Sequence, residues 1–196
     1  MDKRNHAMLE RRAAVATILR QRGESLVIAG LGSPAWDVFA AGDSPRNFYL
    51  WGGMGGAAVL GLGLALAQPK RRALVITGDG ERLMGLGSLA TIAAQRPPNL
   101  AVVVLDNEHY GETGMQPTHT HSGTDLAGVA QAAGFAHGAT VHSAAQLAAW
   151  APLLYRERGP LFLVVKVKTN PVPLMLPPRD GPWLRSRFRA ALLGDN

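Results

Sequence analysis

The stretch from Leu74 to Thr113 constrains the fold more than any other part of the chain. It opens with the apolar run Leu74–Thr77, continues through Gly78-Asp79-Gly80, and reaches a second apolar run, Leu100–Leu105, which ends in Asp106-Asn107. Short runs rich in Val and Ile are typical of strands buried on both faces of a parallel sheet. Apolar residues at helical spacing lie between the two runs, and a proline pair follows them. The pattern predicts a strand, a crossover helix and a parallel strand.

Asp79 and Asn107 should meet at one edge of that sheet, because a right-handed crossover places the carboxyl ends of both strands side by side. A carboxylate and an amide oxygen suit Mg²⁺, which is usually held by one or two protein oxygens and by the oxygens of a phosphate. Gly78 and Gly80 let the backbone approach an anion closely, and a helix from about Glu81 would direct free amides at it. Together the residues predict a magnesium-anchored phosphate site. An ordinary turn or loop explains either motif equally well when it is taken alone.

Two flanking stretches extend these motifs, Phe48–Gly55 (FYLWGGMG) and Tyr110–Thr118 (YGETGMQPT). With Gly78-Asp79-Gly80 and Asp106-Asn107, they make the chain resemble thiamine diphosphate enzymes from about residue 48 to residue 120. The chain is most similar to the diphosphate-binding (β) subunits of sulfopyruvate decarboxylase and of phosphonopyruvate decarboxylase-like proteins. The resemblance is specific for the cofactor and less so for the substrate.

This resemblance implies ligands for the metal and the cofactor. Mg²⁺ would be bound by Asp79, Asn107 and the main-chain carbonyl of His109. The cofactor-binding residues would be Gly52, Met54, Gly78, Asp79, Gly80, Glu81, Asn107, His109, Tyr110, Gly111 and Glu112. Within this set, Gly52 would offer its carbonyl to the aminopyrimidine ring, and Met54 would lie under the thiazolium ring and hold the cofactor bent. The alternative for Met54 is a buried side chain at the start of a helix.

One position departs from the family pattern. Many relatives carry Ser or another small residue after Gly-Asp-Gly, whereas this chain has Glu81. A carboxylate that pointed inward would repel a diphosphate. We therefore expect the Glu81 side chain to point outward and to leave only its amide at the phosphate.

The remaining apolar patterns complete the prediction of the fold. They indicate about six strands alternating with helices, a doubly wound parallel sheet flanked by helices, which is also the fold that the resemblance implies. Further strands are predicted at about 26–31, 47–51, 139–141 and 161–167, and helices at about 5–22, 33–41, 54–67, 125–133 and 143–156. We interpret residues 1–170 as one cofactor-binding domain and residues 171–196 as a proline-rich crossover with an amphipathic helix.

Composition excludes several classes of protein. The 196 residues include no Cys, which rules out disulfides and Cys-ligated metal centres and fits a cytoplasmic protein. No apolar run approaches the ~18 residues of a membrane span. The net charge of +6 comes from Lys and Arg concentrated at the chain ends and near Lys70, without interleaved aromatic residues, so nucleic-acid binding is not expected.

The loop from Gly111 to Gly123 is polar and should lie over the reactive end of the cofactor. Thr113, His119 and His121 are candidates to contact an anionic substrate or to move a proton. A solvated loop explains them nearly as well. The His-x-His pair also suggests zinc, although no third ligand is evident.

The resemblance implies a partner, because enzymes of this family need a pyrimidine-binding domain and one domain of this length has no room for it. We predict a separate pyrimidine-binding subunit in an α₂β₂ or larger assembly. The predicted function is decarboxylation of an anionic 2-oxoacid such as a sulfonated or phosphonated pyruvate. Alternatives are a carboligase subunit, a ferredoxin-linked oxidoreductase, disfavoured by the absence of cluster cysteines, and a non-catalytic assembly or regulatory subunit.

Overall fold

The structure is a computed structural model that describes residues 8–194. The strands, in chain order, are β1 Leu26–Ala29, β2 Asn47–Tyr49, β3 Ala73–Gly78, β4 Leu100–Asp106, β5 His109–Tyr110, β6 Gln116–Pro117, β7 His137–Val141 and β8 Leu161–Lys166. The helices are α1 Arg11–Leu19, α2 Ser33–Ala40, α3 Ala57–Ala67, α4 Asp79–Met84, α5 Ser88–Gln95, α6 Leu126–Ala133, α7 Ala144–Trp150, α8 Leu153–Arg156 and α9 Gly181–Leu193. None of the helices found within residues 8–194 is long and apolar enough to cross a membrane.

Six of the strands form one parallel sheet in the order β2-β1-β3-β4-β8-β7. All seven residues of β4 are buried, as its apolar run Leu100–Leu105 requires. Successive side chains of a strand point to opposite faces, so Leu74 and Ile76 join one hydrophobic core whereas Ala73 and Val75 join the other. The predicted six-stranded, doubly wound parallel sheet is confirmed.

The order of the strands reverses between β1 and β3, since the chain builds the sheet outward from these two strands in opposite directions. A crevice forms at the carboxyl ends of the strands where the order of a doubly wound sheet reverses, and ligands bind there. The fold therefore places a binding cleft next to the residues that follow β1 and β3, among them Gly78-Asp79-Gly80.

The predicted start of the first helix was wrong. The first helix begins at Arg11 rather than Asn5, and residues 5–7 lie outside the described part. Leu9 instead forms an isolated parallel bridge to Val167, the residue that follows β8. The next helix, α2, begins at Ser33 as predicted, and Gly32 at φ +72° precedes it without a side-chain cap.

The helix expected from Met54 begins at Ala57, because Gly53 and Gly55 lie in the left-handed region, at φ +69° and +90°, which a right-handed helix cannot accommodate. Inside α3, a Cβ on Gly61 would lie 2.2 Å from Cγ2 of Val75. The glycine therefore lets the helix pack closely on the sheet. The opposite face of α3 is apolar but exposed at Val59 and Leu66.

The single helix predicted between β3 and β4 is two helices. α4 ends at Met84 and α5 begins at Ser88. The break lies at Gly85, where a Cβ would come within 2.2 Å of the Gly55 carbonyl oxygen. The expected helix from Ser143 to Arg156 is likewise divided into α7 and α8 near Pro152. Strands β5 and β6, which pair as a short antiparallel ribbon, were not predicted.

The C-terminal helix packs against the sheet beside β2. Arg187 forms an ion pair with Asp43 at 2.6 Å, and the rings of Phe188 and Phe48 lie 5.5 Å apart. In the crossover that leads to α9, the carbonyl of Pro178 accepts a 2.7 Å hydrogen bond from Nε1 of Trp51. The division of the chain near residue 170 stays a prediction.

Candidate functional site

The carboxyl ends of three neighbouring strands open onto one cleft. Its wall includes Leu31 after β1, Gly78 and Asp79 at the end of β3, and Asn107 after β4. The loop that follows Asn107 completes the wall with His109, Tyr110, Gly111, Glu112 and Thr113. The cleft thus brings together Asp79 and Asn107, which the sequence predicted to converge.

Asp79 is a buried carboxylate held by hydroxyl groups. The Thr118 hydroxyl donates a 2.6 Å hydrogen bond to Oδ2 of Asp79, and Oγ1 of Thr120 lies 3.3 Å from the same oxygen. Burial, with a further contribution from the negative charge of Asp106, raises the pKa of Asp79 to about 6, and the hydroxyl groups oppose this rise. Within residues 8–194, no Lys, Arg or His nitrogen lies within 4.0 Å of this carboxylate. Such a side chain is suited to bind a cation.

The neighbouring carboxylate, Asp106, already has a cation as its partner. It accepts a 2.8 Å bond from Nζ of Lys166 and another of 2.8 Å from the hydroxyl of Thr120. Lys166 also donates to Oε1 of Glu108 at 2.7 Å. Burial lowers the pKa of Lys166, but these carboxylate contacts outweigh it and raise the pKa above its usual value. Lys166 therefore stays charged beneath the cleft, where its charge compensates that of Asp106.

Two side-chain-to-backbone bonds fix the start of the loop after β4. Oδ1 of Asn107 accepts a 3.0 Å bond from the amide of His109, and Oδ1 of Asp106 accepts one of 3.0 Å from the amide of Glu108. Glu108 itself has φ +65°. The described residues contain no cluster of three His, Cys, Asp or Glu side chains that could hold a metal. The zinc alternative for His119 and His121 therefore lacks a ligand set, whereas a site of one carboxylate and neutral oxygens would need no such cluster.

Gly80 lies directly against the ring of Tyr110. A Cβ at position 80 would stand 2.6 Å from Cε1 and 2.7 Å from Cδ1 of that ring. Only glycine therefore allows the start of α4 and the loop after β4 to form one continuous wall.

Gly80→Ala should lower the free energy of unfolding by about 2 kcal/mol, because the added methyl group overpacks the contact with Tyr110. Urea denaturation of the variant and of the parent protein measures this loss. In a Tyr110→Ala background the same substitution should be neutral or stabilising, since the ring is gone and Ala favours the helix. Equal losses in both backgrounds would contradict the contact.

The expectation that Glu81 points outward was wrong. The side chain is buried, with one carboxylate oxygen accepting bonds from the amide of Leu31 at 3.1 Å and the hydroxyl of Thr77 at 2.7 Å. The other oxygen accepts a 3.2 Å bond from the amide of Ala57, the first residue of α3. These donors, one of them at the positive end of a helix, stabilise the carboxylate inside the protein. Glu81 is thereby tied into the scaffold of the cleft.

The Gly52–Met54 segment forms an exposed rim. Gly52 and Gly53 are exposed, and Met54, 39% exposed, lines both the main cleft and an adjoining one. The alternative of a buried methionine at a helix start is therefore wrong. The adjoining cleft is largely apolar, with Leu83, Met84 and Leu86 in its wall, and His119 stands at its edge.

The candidate substrate-contacting residues of the loop after Tyr110 differ in their exposure to solvent. Thr113 lines the main cleft and is exposed. The ring of His121 packs against that of His109 at 5.5 Å, and its Nδ1 lies 3.4 Å from Oε2 of Glu108. His121 is thus held inside the loop, whereas Thr113 faces the space that a ligand would occupy.

Sequence reasoning missed four residues of this region. Thr118 and Thr120 were placed in a solvated loop, yet both are buried against the carboxylates. In the sequence these threonines alternate with His119 and His121, and this alternation was the signal that could have identified them. Ser33 and Arg11 also line the cleft. Ser33 opens the helix that follows β1, a position that could have identified it, but the sequence carries no signal for Arg11.

Comparison with known proteins adds to this geometry. Residues 33–165 match the family described as thiamine pyrophosphate enzyme, C-terminal TPP binding domain. Thiamine pyrophosphate is another name for thiamine diphosphate. The matched range contains every predicted metal and cofactor ligand, from Gly52 to Glu112.

Among individual proteins, the chain is 48% identical over 128 residues to the sulfopyruvate decarboxylase subunit beta of Methanothermobacter thermautotrophicus, covering 65% of this chain and 68% of that one. It is 44% identical over 109 residues to the phosphonopyruvate decarboxylase of Streptomyces hygroscopicus, which is 56% of this chain and 27% of the relative.

The fold also resembles a solved structure, the benzoylformate decarboxylase of Polynucleobacter necessarius. The TM-score is 0.72 at 21% identity, and the match covers 89% of this chain and 36% of that one. At this identity the likeness concerns the fold. The chain thus corresponds to about a third of the longer enzyme.

Proposed function

Since the chain belongs to the family of thiamine pyrophosphate enzymes, we propose that it is the diphosphate-binding subunit of a heteromeric thiamine diphosphate-dependent 2-oxoacid decarboxylase. The observation that carries the proposal is Asp79, a buried carboxylate at the carboxyl end of β3 beside Asn107 and Gly80, with no Lys, Arg or His nitrogen within 4.0 Å among residues 8–194. We place the protein in the cytoplasm as part of the same proposal.

The residues present fit the cofactor and its metal. Asp79 would give Mg²⁺ its charged ligand, while Asn107 and the carbonyl of His109 would give it neutral oxygens, the donor types that Mg²⁺ prefers. Thr118 and Thr120 orient the Asp79 carboxylate, and Lys166 compensates Asp106 so that it does not compete for the metal. The backbone at Gly80 can face a phosphate without a Cβ between them. We therefore assign the metal site to Asp79, Asn107 and His109.

When bound, thiamine diphosphate supplies the nucleophilic carbon and the electron sink that a 2-oxoacid needs to lose CO₂. Met54 would give the ring system an apolar, adaptable surface at the rim of the cleft. Gly52 would offer its carbonyl to the aminopyrimidine, and the amides of Glu81, Gly111 and Glu112 would face the diphosphate. Thr113 is placed to meet the substrate from the loop above.

A separate pyrimidine-binding subunit is the second part of the proposal. The beta designation of the methanogen relative supports it. The main cleft has a volume of about 160 Å³ and shares Met54, Gly80 and Tyr110 with the adjoining cleft of about 490 Å³. Exposed apolar side chains at Met54 and Met84 adjoin it, as expected of a surface that another protein covers. An α₂β₂ assembly is the simplest arrangement.

Sulfopyruvate and phosphonopyruvate are the proposed substrates, by analogy with the names of the two relatives. The test is CO₂ release from each acid, with pyruvate for comparison, by the tagged chain and by the complex that co-purifies with it. We expect turnover of a sulfonated or phosphonated acid by the complex only, and its loss when EDTA removes Mg²⁺.

Two results would contradict this function. Turnover by the chain alone would remove the need for a pyrimidine-binding partner. A stoichiometric complex that neither binds thiamine diphosphate nor releases CO₂ from any of the three acids would favour a non-catalytic subunit.

A further inference from the structure

Among residues 8–194, Arg11 is the only Lys or Arg that lines the main cleft. The same wall contains three carboxylates, Asp79, Glu81 and Glu112. Glu81 is satisfied by hydrogen bonds from the scaffold, and Asp79 is the proposed ligand of the metal. A diphosphate that entered this cleft would therefore meet a single fixed side-chain cation besides Mg²⁺.

Asp37 holds the guanidinium of Arg11 in place. Asp37 lies in α2 and is completely buried, and its Oδ2 accepts a hydrogen bond from Nε of Arg11. Its other oxygen accepts a 3.2 Å bond from Nε of Arg12. The Arg11 side chain is itself only 11% exposed. An ion pair of this kind orients the arginine, because a buried carboxylate cannot be left without its partner except at a large cost.

The two ends of the guanidinium therefore have different surroundings. Nε faces Asp37, whereas Nη1 and Nη2 of Arg11 donate no hydrogen bond to any residue in the range 8–194. Arg12 differs, since its Nη2 donates a 2.8 Å bond to the carbonyl of Pro173 and its side chain does not line the cleft. Arginine presents several N–H donors in a planar fork that matches phosphate oxygens. Arg11 is thus an oriented arginine with unused donors at the wall of the cleft.

The charge of Arg11 reaches the loop after Tyr110. Burial raises the pKa of Glu112, and the positive charge of Arg11 opposes that rise. Glu112 lies beside Gly32, where a Cβ would come within 3.0 Å of its carboxylate. The positive charge of Arg11 therefore lies near the start of α2 and near the Gly111-Glu112 segment. This segment is the part of the cleft assigned to the diphosphate.

We propose that Nη1 and Nη2 of Arg11 bind the diphosphate of the cofactor, with Asp37 as the positioning residue that orients the guanidinium. This inference rests on the proposed function, because it needs thiamine diphosphate in the main cleft. The cofactor is favoured over the substrate as the anion, since the charge of Arg11 acts on Glu112, in the segment assigned to the diphosphate.

The test compares Arg11→Gln with Arg12→Gln, a matched control that removes a charge from the same aspartate but from outside the cleft. Calorimetry with the full chain, together with its partner where one co-purifies, measures binding of thiamine diphosphate and of unphosphorylated thiamine at saturating Mg²⁺. Arg11→Gln should weaken thiamine diphosphate binding at least about tenfold, as expected for the loss of charge-assisted bonds. Arg12→Gln should change it less than about twofold, and neither variant should alter binding of thiamine.

A third variant separates binding from folding. Arg11→Gln leaves Asp37 partly unpaired and should lower the melting temperature, whereas Arg11→Gln with Asp37→Asn removes the stranded charge and should restore it. The double variant should still bind thiamine diphosphate weakly if Arg11 contacts the anion. Equal affinity of wild type and Arg11→Gln for thiamine diphosphate, or full recovery of that affinity in the double variant, would overturn this inference but not the proposed function. A wild-type complex that binds no thiamine diphosphate would overturn the proposed function as well.

Discussion

Asp79→Asn should abolish Mg²⁺-dependent binding of thiamine diphosphate and at the same time stabilise the cofactor-free protein. Asparagine keeps the shape and can still accept the Thr118 bond, but it removes the only charged side chain in the proposed metal ligand set. Loss of a direct ligand should weaken metal-dependent affinity by more than about 100-fold, beyond the effect usual for residues that merely support a ligand. Calorimetry with thiamine diphosphate at varied Mg²⁺ measures this loss.

The gain in stability follows from the pKa of Asp79. Burial and the charge of Asp106 raise this pKa from 3.8 to about 6. An acid whose pKa is raised in the folded state destabilises the fold once it ionises, so the penalty is absent below pH 3.8 and complete above pH 6. At ~1.4 kcal/mol per pH unit, the free energy of unfolding at pH 7 should rise by about 3 kcal/mol in the variant.

Urea denaturation in EDTA at several pH values checks this second effect. The advantage of Asp79→Asn should be full at pH 7 and should vanish as the pH falls toward 4. Thr118→Val is the matched control, because it removes a supporting hydroxyl and leaves the carboxylate in place. Retained cofactor affinity in Asp79→Asn would remove Asp79 from the metal site. If Asp79→Asn were less stable than the parent protein at pH 7, the claim that Asp79 carries an uncompensated buried charge would be contradicted.

Local sequence carried most of the information about the sheet. The run Leu100–Leu105 is apolar without interruption, and only a strand covered on both faces needs such a sequence. The motifs at Asp79 and Asn107 follow two such strands directly, so their convergence could be predicted from topology alone. Helix ends were less predictable, because the break at Gly85 depends on the backbone of Gly55, which tertiary packing brings close.

The errors at the site arise from contacts between distant segments. The direction of Glu81 depends on the amides of Leu31 and Ala57, and nothing in the sequence around residue 81 shows that they are near. Electrostatic reasoning considered only the diphosphate and therefore predicted the wrong direction. Arg11 reaches the cleft because Asp37 binds it, again a contact made by packing of α1 on α2. Residues that act through tertiary partners have no local signature.

The hydrogen bonds of Glu81 with distant segments predict the effect of Glu81→Ala. This substitution should lower the free energy of unfolding by about 3 kcal/mol. The substitution removes the acceptor for the amides of Leu31 and Ala57 and for the hydroxyl of Thr77. A buried donor left without a partner costs about 1–3 kcal/mol, and Ala57 and Thr77 are both buried. Urea denaturation measures the loss. Glu10→Ala, at an exposed side chain, should change stability by less than about 0.5 kcal/mol and is the control.

A second substitution tests whether the side chain lies where the structure places it. A Cβ on Gly30 would stand 2.1 Å from Oε2 of Glu81, so Gly30→Ala must displace the carboxylate and should destabilise the protein by about 2 kcal/mol. In the Glu81→Ala background the conflict with the carboxylate is absent and only the 2.9 Å approach to Oγ1 of Thr77 remains, so Gly30→Ala should then cost clearly less. The double-mutant cycle isolates that coupling, because each single change acts on the same contact. Additive losses would mean that Glu81 does not occupy the space beside Gly30, and the outward orientation predicted from the sequence would be restored.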